Sequence, residues 1–196
     1  MCKADITDAF KQIPLSLEYW PYFGFKWEGL YYFYTRLAFG CRSSPKIFDP
    51  LSQAICWILK HNHDFLHVLH LLDDFLVIDP PGHDAESTMS TILSLFKRLN
   101  IPLALHKTQG PLTEIEYLGI ILDSNLMTAR LPQDKLQRIA ELLGRYSTKR
   151  SCTKRELLSL LEHLNYACRV IVPGRTFVSY LIELSMLACQ AIVEKI

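Results

Sequence analysis

Residues 69–78 read Leu69-His70-Leu71-Leu72-Asp73-Asp74-Phe75-Leu76-Val77-Ile78, two adjacent carboxylates inside an otherwise apolar stretch. Neighbouring like charges repel, and burial disfavours their ionised forms. The pair therefore has two comfortable settings. It can be an exposed hairpin turn, where aspartate is common, or it can be neutralised by divalent cations. Magnesium prefers oxygen ligands and uses few protein carboxylates beside water and phosphate oxygens. Two such ions, roughly 3.5–4 Å apart, serve in-line displacements at phosphorus. A third acid, Asp5, ends the short apolar run that begins at Cys2 and would complete such a site if it faced the turn.

The rest of the chain predicts an α+β fold, an antiparallel sheet backed by helices. A strand over 2–6 leads into a helical turn at Thr7-Asp8-Ala9-Phe10. Phe23–Trp27 and Tyr31–Tyr34 form a hairpin about Gly29. Ser44-Pro45 starts a helix, with Ser44 capping and Pro45 first in the helix. Ile47, Phe48, Leu51, Ala54, Ile55, Ile58 and Leu59 carry it to about residue 62. Two strands flank Asp73-Asp74, and Pro80-Pro81-Gly82 ends that unit. Met89, Ile92, Leu93, Phe96 and Leu99 mark a helix. Strands follow at about 102–106 and 115–122, with a hairpin arm at 126–131. From Pro132 the periodicity is helical throughout, with Leu136, Ile139, Leu142 and Leu143 on one stripe. Thr153 and Glu156 make a capping box before Leu157, Leu160, Leu161 and Leu164. A boundary near 131 separates 1–131 from 132–196.

With 196 residues and 49% hydrophobic content, the chain suits one globular unit, or a domain and a half. A net charge of +1 neither demands nor excludes a nucleic-acid partner. The bases gather late, at Lys135, Arg138, Arg145, Lys149, Arg150, Lys154, Arg155, Arg169 and Arg175. They form either a solvated helical face or one that follows phosphates. Six cysteines without a C-x-x-C pair read as reduced, mostly buried thiols of an intracellular protein. Asp5 and Asp8 break any apolar leader. Thr176 to Val193 carries one charge, Glu183, but Ser179, Glu183, Gln190 and Glu194 make a polar stripe, so an amphipathic helix is expected and no membrane partner. His63 and His67 have zinc-like spacing, but no cysteine or carboxylate joins them at ligand spacing. Histidines at a helix C-terminus also suit the dipole.

Several segments, in order, resemble the palm motifs of retroelement reverse transcriptases. They are Lys3-Ala4-Asp5-Ile6-Thr7-Asp8-Ala9-Phe10-Lys11-Gln12-Ile13-Pro14-Leu15, Phe39-Gly40-Cys41-Arg42-Ser43-Ser44-Pro45-Lys46-Ile47-Phe48, Leu71-Leu72-Asp73-Asp74-Phe75-Leu76, His106-Lys107 and Glu116-Tyr117-Leu118-Gly119. The resemblance covers residues 1–131, with a remnant of the fingers at about 15–38. Glu162 to Ile171 and Pro173 to Phe177 look like the thumb of DIRS-like elements, retrotransposons that pair a reverse transcriptase with a tyrosine recombinase. The resemblance implies RNA-directed DNA polymerase activity on an RNA/DNA template-primer with deoxynucleoside triphosphates. It also implies two Mg2+ ions, with Mn2+ as an alternative.

By position, the resemblance makes Asp5, Asp73 and Asp74 metal-binding carboxylates, with the Ile6 backbone facing the metals. Asp8, Ala9 and Phe10 border the nucleotide, Phe10 as the ring that crowds a ribose 2′-hydroxyl. Gly40, Ser44 and Pro45 support template base and nucleotide. Lys107 protonates the departing pyrophosphate. Tyr117, Leu118 and Gly119 begin the primer grip. Two positions depart from the pattern: Phe39 replaces a glutamine and Leu71 a tyrosine. Only four residues precede Asp5, so a truncated copy is expected, lacking most of the fingers. The RNase H and recombinase sequences of a parent polyprotein are absent as well. Two other readings use the same residues: an inactive remnant that binds nucleic acid weakly, and a two-metal nuclease. The second leaves Phe10, Gly40 and Pro45 without a purpose.

Overall fold

The computed structural model describes residues 1–149 and 151–193, with the side chains of 187–193 aside. Arg150 and Glu194, and the side chains of Cys189 and Gln190, lie outside the described residues. The chain divides into two compact units, Met1–Leu118 and Gly119–Ile196.

In the first unit, β1 (Cys2–Asp5), β5 (Asp74–Ile78) and β4 (His67–Leu71) form an antiparallel sheet in the order β1-β5-β4. The central strand, β5, buries Phe75, Leu76 and Val77 almost completely. Helices α1 (Ser44–Asn62) and α2 (Ala85–Arg98) pack on this sheet. Phe48, Ile55 and Leu59 project from α1 at helical spacing, Ile92, Leu95 and Phe96 from α2, and all six join the core. Phe75 meets Phe96 edge to face at 5.5 Å. Burying each such ring contributes about 1.5–3 kcal/mol. Asp84 caps α2 by accepting from the backbone N–H groups of Glu86 and Ser87.

β2 (Gly24–Trp27) and β3 (Leu30–Phe33) form the expected aromatic hairpin. Glu28 and Gly29 at its tip both take positive φ, 46° and 81°, as a tight two-residue hairpin turn requires. Its residues are exposed throughout, including Trp27, Leu30 and Tyr31.

Three expectations need correction. Ser43, not Ser44, is the residue before α1, and neither caps it by a side-chain bond; Ser44 is the first helical residue. The segment 102–106 is not a strand: it makes one isolated bridge, Leu103 to Ile6 just after β1, because Pro102 offers no N–H and the chain turns at Ala104. The apolar run 115–122 is two strands, β6 (Glu114–Tyr117) and β7 (Ile120–Asp123), interrupted by positive φ at Leu118 and Gly119.

In the second unit, β7 pairs with β8 (Thr128–Arg130). Asp123 closes their turn by accepting from the N–H groups of Asn125 and Leu126. Helices α3 (Gln133–Ser147), α4 (Lys154–Ala167) and α5 (Gly174–Val193) follow. The capping box at Thr153 and Glu156 has both of its bonds. Leu161, Cys168 and Val178 form the centre of the α4–α5 packing, with Leu157, Leu164, Leu181 and Ile182 around them. Among the described residues, no helix is long and apolar enough to cross a membrane.

Candidate active site

The register of the first sheet sets the site. Asp5, last in β1, lies directly opposite Asp74, first in β5. Residues opposed in an antiparallel ladder direct their side chains to the same face. The two acids therefore share one end of the sheet, and Asp73 sits beside them in the β4–β5 turn.

That turn is fastened at three successive carbonyls. Ser52 Oγ of α1 donates to Leu72 O at 2.7 Å, the N–H of Ile6, just after β1, to Asp73 O at 3.0 Å, and the Tyr117 hydroxyl of β6 to Asp74 O at 3.3 Å. Leu72 takes a left-handed conformation with φ 56°. Such a conformation costs a branched side chain on the order of 1–2 kcal/mol and persists only where its surroundings enforce it.

The segment 102–109 lies along the free edge of β1. Thr7 N–H donates to Pro102 O, Ala104 N–H to Asp5 O, and Lys3 and Gln109 exchange two bonds. This brings Lys107 Nζ to 3.4 Å and 3.5 Å from the two Asp5 carboxylate oxygens. On the other side, Lys3 Nζ stands 3.8 Å from Asp74 Oδ1, close enough for an ion pair but too far for a hydrogen bond. Asp74 Oδ1 is buried without a hydrogen-bond partner. Burial raises the Asp74 pKa above the usual carboxylate range; Lys3 opposes that rise, and Asp5 and Asp73 add to it.

These oxygens suit a hard divalent cation, and the orphaned Asp74 oxygen shows that the protein alone does not satisfy the cluster. Among the described residues, no three His, Cys, Asp or Glu side chains are drawn into a preformed cage. Two of the acids face ammonium groups instead, and magnesium commonly completes its shell with water and substrate oxygens.

The residues that the motif resemblance assigns to the nucleotide side occupy a short 3-10 turn, a loop and the start of α1. Asp8 adopts φ 50° ahead of a short 3-10 turn over Ala9–Gln12, and its exposed carboxylate pairs with Lys11 at 3.0 Å. Ala9 is buried. The Phe10 ring lies 4.9 Å from Phe39 and 5.6 Å from Phe48. Gly40 has φ 80°, a backbone that glycine adopts without strain. Ser44, fully buried, donates its hydroxyl to Ala38 O at 2.7 Å and ties the 38–40 loop to α1, with Pro45 next in the helix. The Tyr117 hydroxyl serves the Asp74 backbone. In the second unit the Gly119 carbonyl accepts from Lys135 Nζ at 3.0 Å and from the Tyr166 hydroxyl at 2.6 Å.

The histidines do not assemble. His63 ends α1, exposed His67 begins β4, and His70 lies between Cys56 Sγ at 3.3 Å and Asp49 Oδ1 at 3.4 Å. The five described cysteines are free thiols: Cys2, Cys56 and Cys168 are buried, and burial pushes the first two up to about 11.

Sequence reasoning missed Lys3, Ser52 and the task of Tyr117. Signals existed for two of them. Lys3 precedes Asp5 by the two-residue strand period. Ser52 interrupts the apolar stripe between Phe48 and Ile55. Nothing in the chain marked Tyr117 as a partner of residue 74.

Residues 1–122 match the reverse transcriptase (RNA-dependent DNA polymerase) family. The chain is 28% identical over 131 residues to the Gag-Pro-Pol polyprotein of human T-cell leukemia virus 2, covering 63% of this chain and 9% of that polyprotein. To the Gag-Pol polyprotein of avian reticuloendotheliosis virus it is 26% identical over 176 residues, 87% of this chain and 14% of the polyprotein. Its fold resembles that of the foamy viral protease-reverse transcriptase solved in complex with RNA/DNA hybrid. The TM-score is 0.63 at 21% identity, over 91% of this chain and 24% of that one. The motif order and the meeting of Asp5 with the Asp73-Asp74 turn agree with the family match: this chain belongs to the reverse transcriptase (RNA-dependent DNA polymerase) family.

Proposed function

We propose that the chain is the palm, with part of the thumb, of an RNA-directed DNA polymerase that extends a primer by two-metal nucleotidyl transfer. The observation that carries this reading is the pairing of Asp5 with Asp74 beside a turn fastened at three carbonyls. Asp5 and Asp73, with Asp74 behind them, hold the ions, and the Ile6 backbone borders the same place. Magnesium, when bound, supplies Lewis-acid activation of the primer 3′-hydroxyl and neutralises the leaving pyrophosphate. Lys107, whose ammonium stands beside Asp5, lends a proton to the leaving group. Phe10, held between Phe39 and Phe48, forms a wall against a ribose 2′-hydroxyl, which favours deoxynucleotides. Asp8, Ala9, Gly40, Ser44 and Pro45 shape the nucleotide pocket, and Tyr117, Leu118 and Gly119 lie where the primer end is gripped.

In the second unit, Lys135, Arg138, His163 and Arg169 line a groove of about 640 Å³ with Tyr166. Clustered bases beside an aromatic ring suit a nucleic-acid backbone. The foamy viral protease-reverse transcriptases were solved in complex with RNA/DNA hybrid and with double-stranded DNA, which supports a template-primer as partner. The DIRS-like assignment stands on the 162–177 sequence, and the parent is then a transposable-element polyprotein.

Primer extension by the purified chain on an RNA template, in magnesium, tests this. Extension is expected with the parent chain and should vanish with Asp73→Asn. Salt-dependent hybrid binding with no extension by the parent chain would favour a binding remnant. Hybrid cleavage without nucleotides would favour a nuclease.

A further inference from the structure

Two ammonium groups stand within the acidic cluster, and they are held differently. Lys3 projects from β1 two residues before Asp5, on the same face. Its side chain is 16% exposed, and its Nζ also donates to the Glu116 carbonyl at 3.3 Å. Lys107 is 53% exposed, and its contacts with Asp5, at 3.4 and 3.5 Å, are long for charge-assisted hydrogen bonds. Each lysine faces one acid, so three ionised carboxylates and two ammoniums together sum to a single negative charge. That is a weak field for a doubly charged ion.

We infer that Lys3 and Lys107 are built-in counter-charges that hold the Asp5, Asp73 and Asp74 cluster together before a divalent cation binds and that lower the affinity of that cation. Lys3 is the permanent member, anchored to Glu116 and facing Asp74. Lys107 is the displaceable member, free to leave Asp5 when an ion takes its place. Like charges a few ångströms apart repel measurably even at high dielectric, so each ammonium weakens the cation by roughly three- to tenfold. The inference rests on the metal-binding reading above.

The test is manganese titration of the full chain, followed by electron paramagnetic resonance without nucleotide or nucleic acid. K3M and K107M should each bind manganese about three- to tenfold more tightly than the parent. K3R and K107R, which keep the charge, should stay near the parent affinity. In chelator, K3M should unfold at lower urea than the parent, and excess manganese should restore it, because an ion that binds only the folded state stabilises it. Circular dichroism establishes that each variant folds. Should K3M fail to fold, exposed K107M carries the comparison. Unchanged or weaker manganese binding in a folded K107M overturns the inference. D73N separates it from the underlying reading: lost binding in D73N with neutral lysine variants sinks the counter-charges alone, whereas parent-like binding in D73N sinks the metal site itself.

Discussion

The Tyr117 hydroxyl donates to the backbone carbonyl of Asp74 at 3.3 Å, joining β6 to the first residue after the acidic turn. Burial, helped by the nearby negative charge of Asp74, pushes its pKa from 10.0 up to about 12. The folded state thus keeps a proton that the unfolded chain releases above pH 10. The stabilisation is fully present below pH 10 and is lost as pH rises toward 12, on the order of 2 kcal/mol in all. Urea denaturation across that range should show the loss, and Tyr117→Phe should lessen it, leaving up to about pH 11 the share owed to the buried Cys2 and Cys56 thiols, while costing about 1 kcal/mol at neutral pH. A parent chain whose stability is level from pH 10 to 12 would contradict this account.

Ser52 is the second anchor of the turn. Replacing it with alanine removes the bond to Leu72 O and leaves a part-buried acceptor unpaired, at a cost of about 1–3 kcal/mol. The larger effect should be functional. With Leu72 no longer held at positive φ, primer extension by Ser52→Ala should fall more steeply than stability does. Equal activity per folded molecule would show that the anchor serves folding alone.

Phe10 is held by two rings, and one of them, Phe39, stands where the family has glutamine. The substitution exchanges a polar contact for an aromatic contact worth about 0.5–1.5 kcal/mol beyond burial. Phe10→Val should raise the use of ribonucleotides relative to deoxynucleotides by at least about tenfold in kcat/KM, equivalent to about 1.4 kcal/mol. Phe39→Gln should move the same ratio in the same direction, by less. Steady-state incorporation of the two nucleotide types measures both, and an unchanged ratio for Phe10→Val would remove Phe10 from that role.

In the second unit, Glu156 accepts from Lys149 at 2.7 Å and completes the Thr153 cap. The Lys149 bond and the two Thr153 bonds together hold its carboxyl down to about 2, from 4.5. A depressed carboxylate stabilises above its unfolded pKa and is lost as pH falls through the folded one. The α4 cap should therefore weaken between pH 4.5 and 2. Glu156→Gln should remove that acid dependence of helical circular dichroism; a dependence that persists unchanged would assign it to another group.

How much of this could be read from residue order varies with the kind of interaction. Helix α1 was legible because its apolar residues repeat at a fixed spacing, and the Thr153 cap because it is local in sequence. The opposition of Asp5 and Asp74 followed from the motif order, though strand register alone was not predictable. Two strands read as one in 115–122 because Leu118, an apolar residue that rarely takes positive φ, occupies the turn between them. The segment 102–106 read as a strand because it is largely apolar, although it contributes only an isolated bridge at Leu103. Lys3, Ser52 and Tyr117 act on partners 71, 20 and 43 positions away, and no local pattern encodes such a pairing.

The tip of the β4–β5 hairpin owes its path to groups on α1, on Ile6 just after β1 and on β6 rather than to its own flanking side chains. Leu71 shows the consequence. It is 53% exposed, at the position where the motif resemblance expects a tyrosine, and it takes no part in the three bonds that hold the tip. Position 71 thus bears little of that path: its side chain stands largely in solvent, while the three anchors act on the backbone and set the acids.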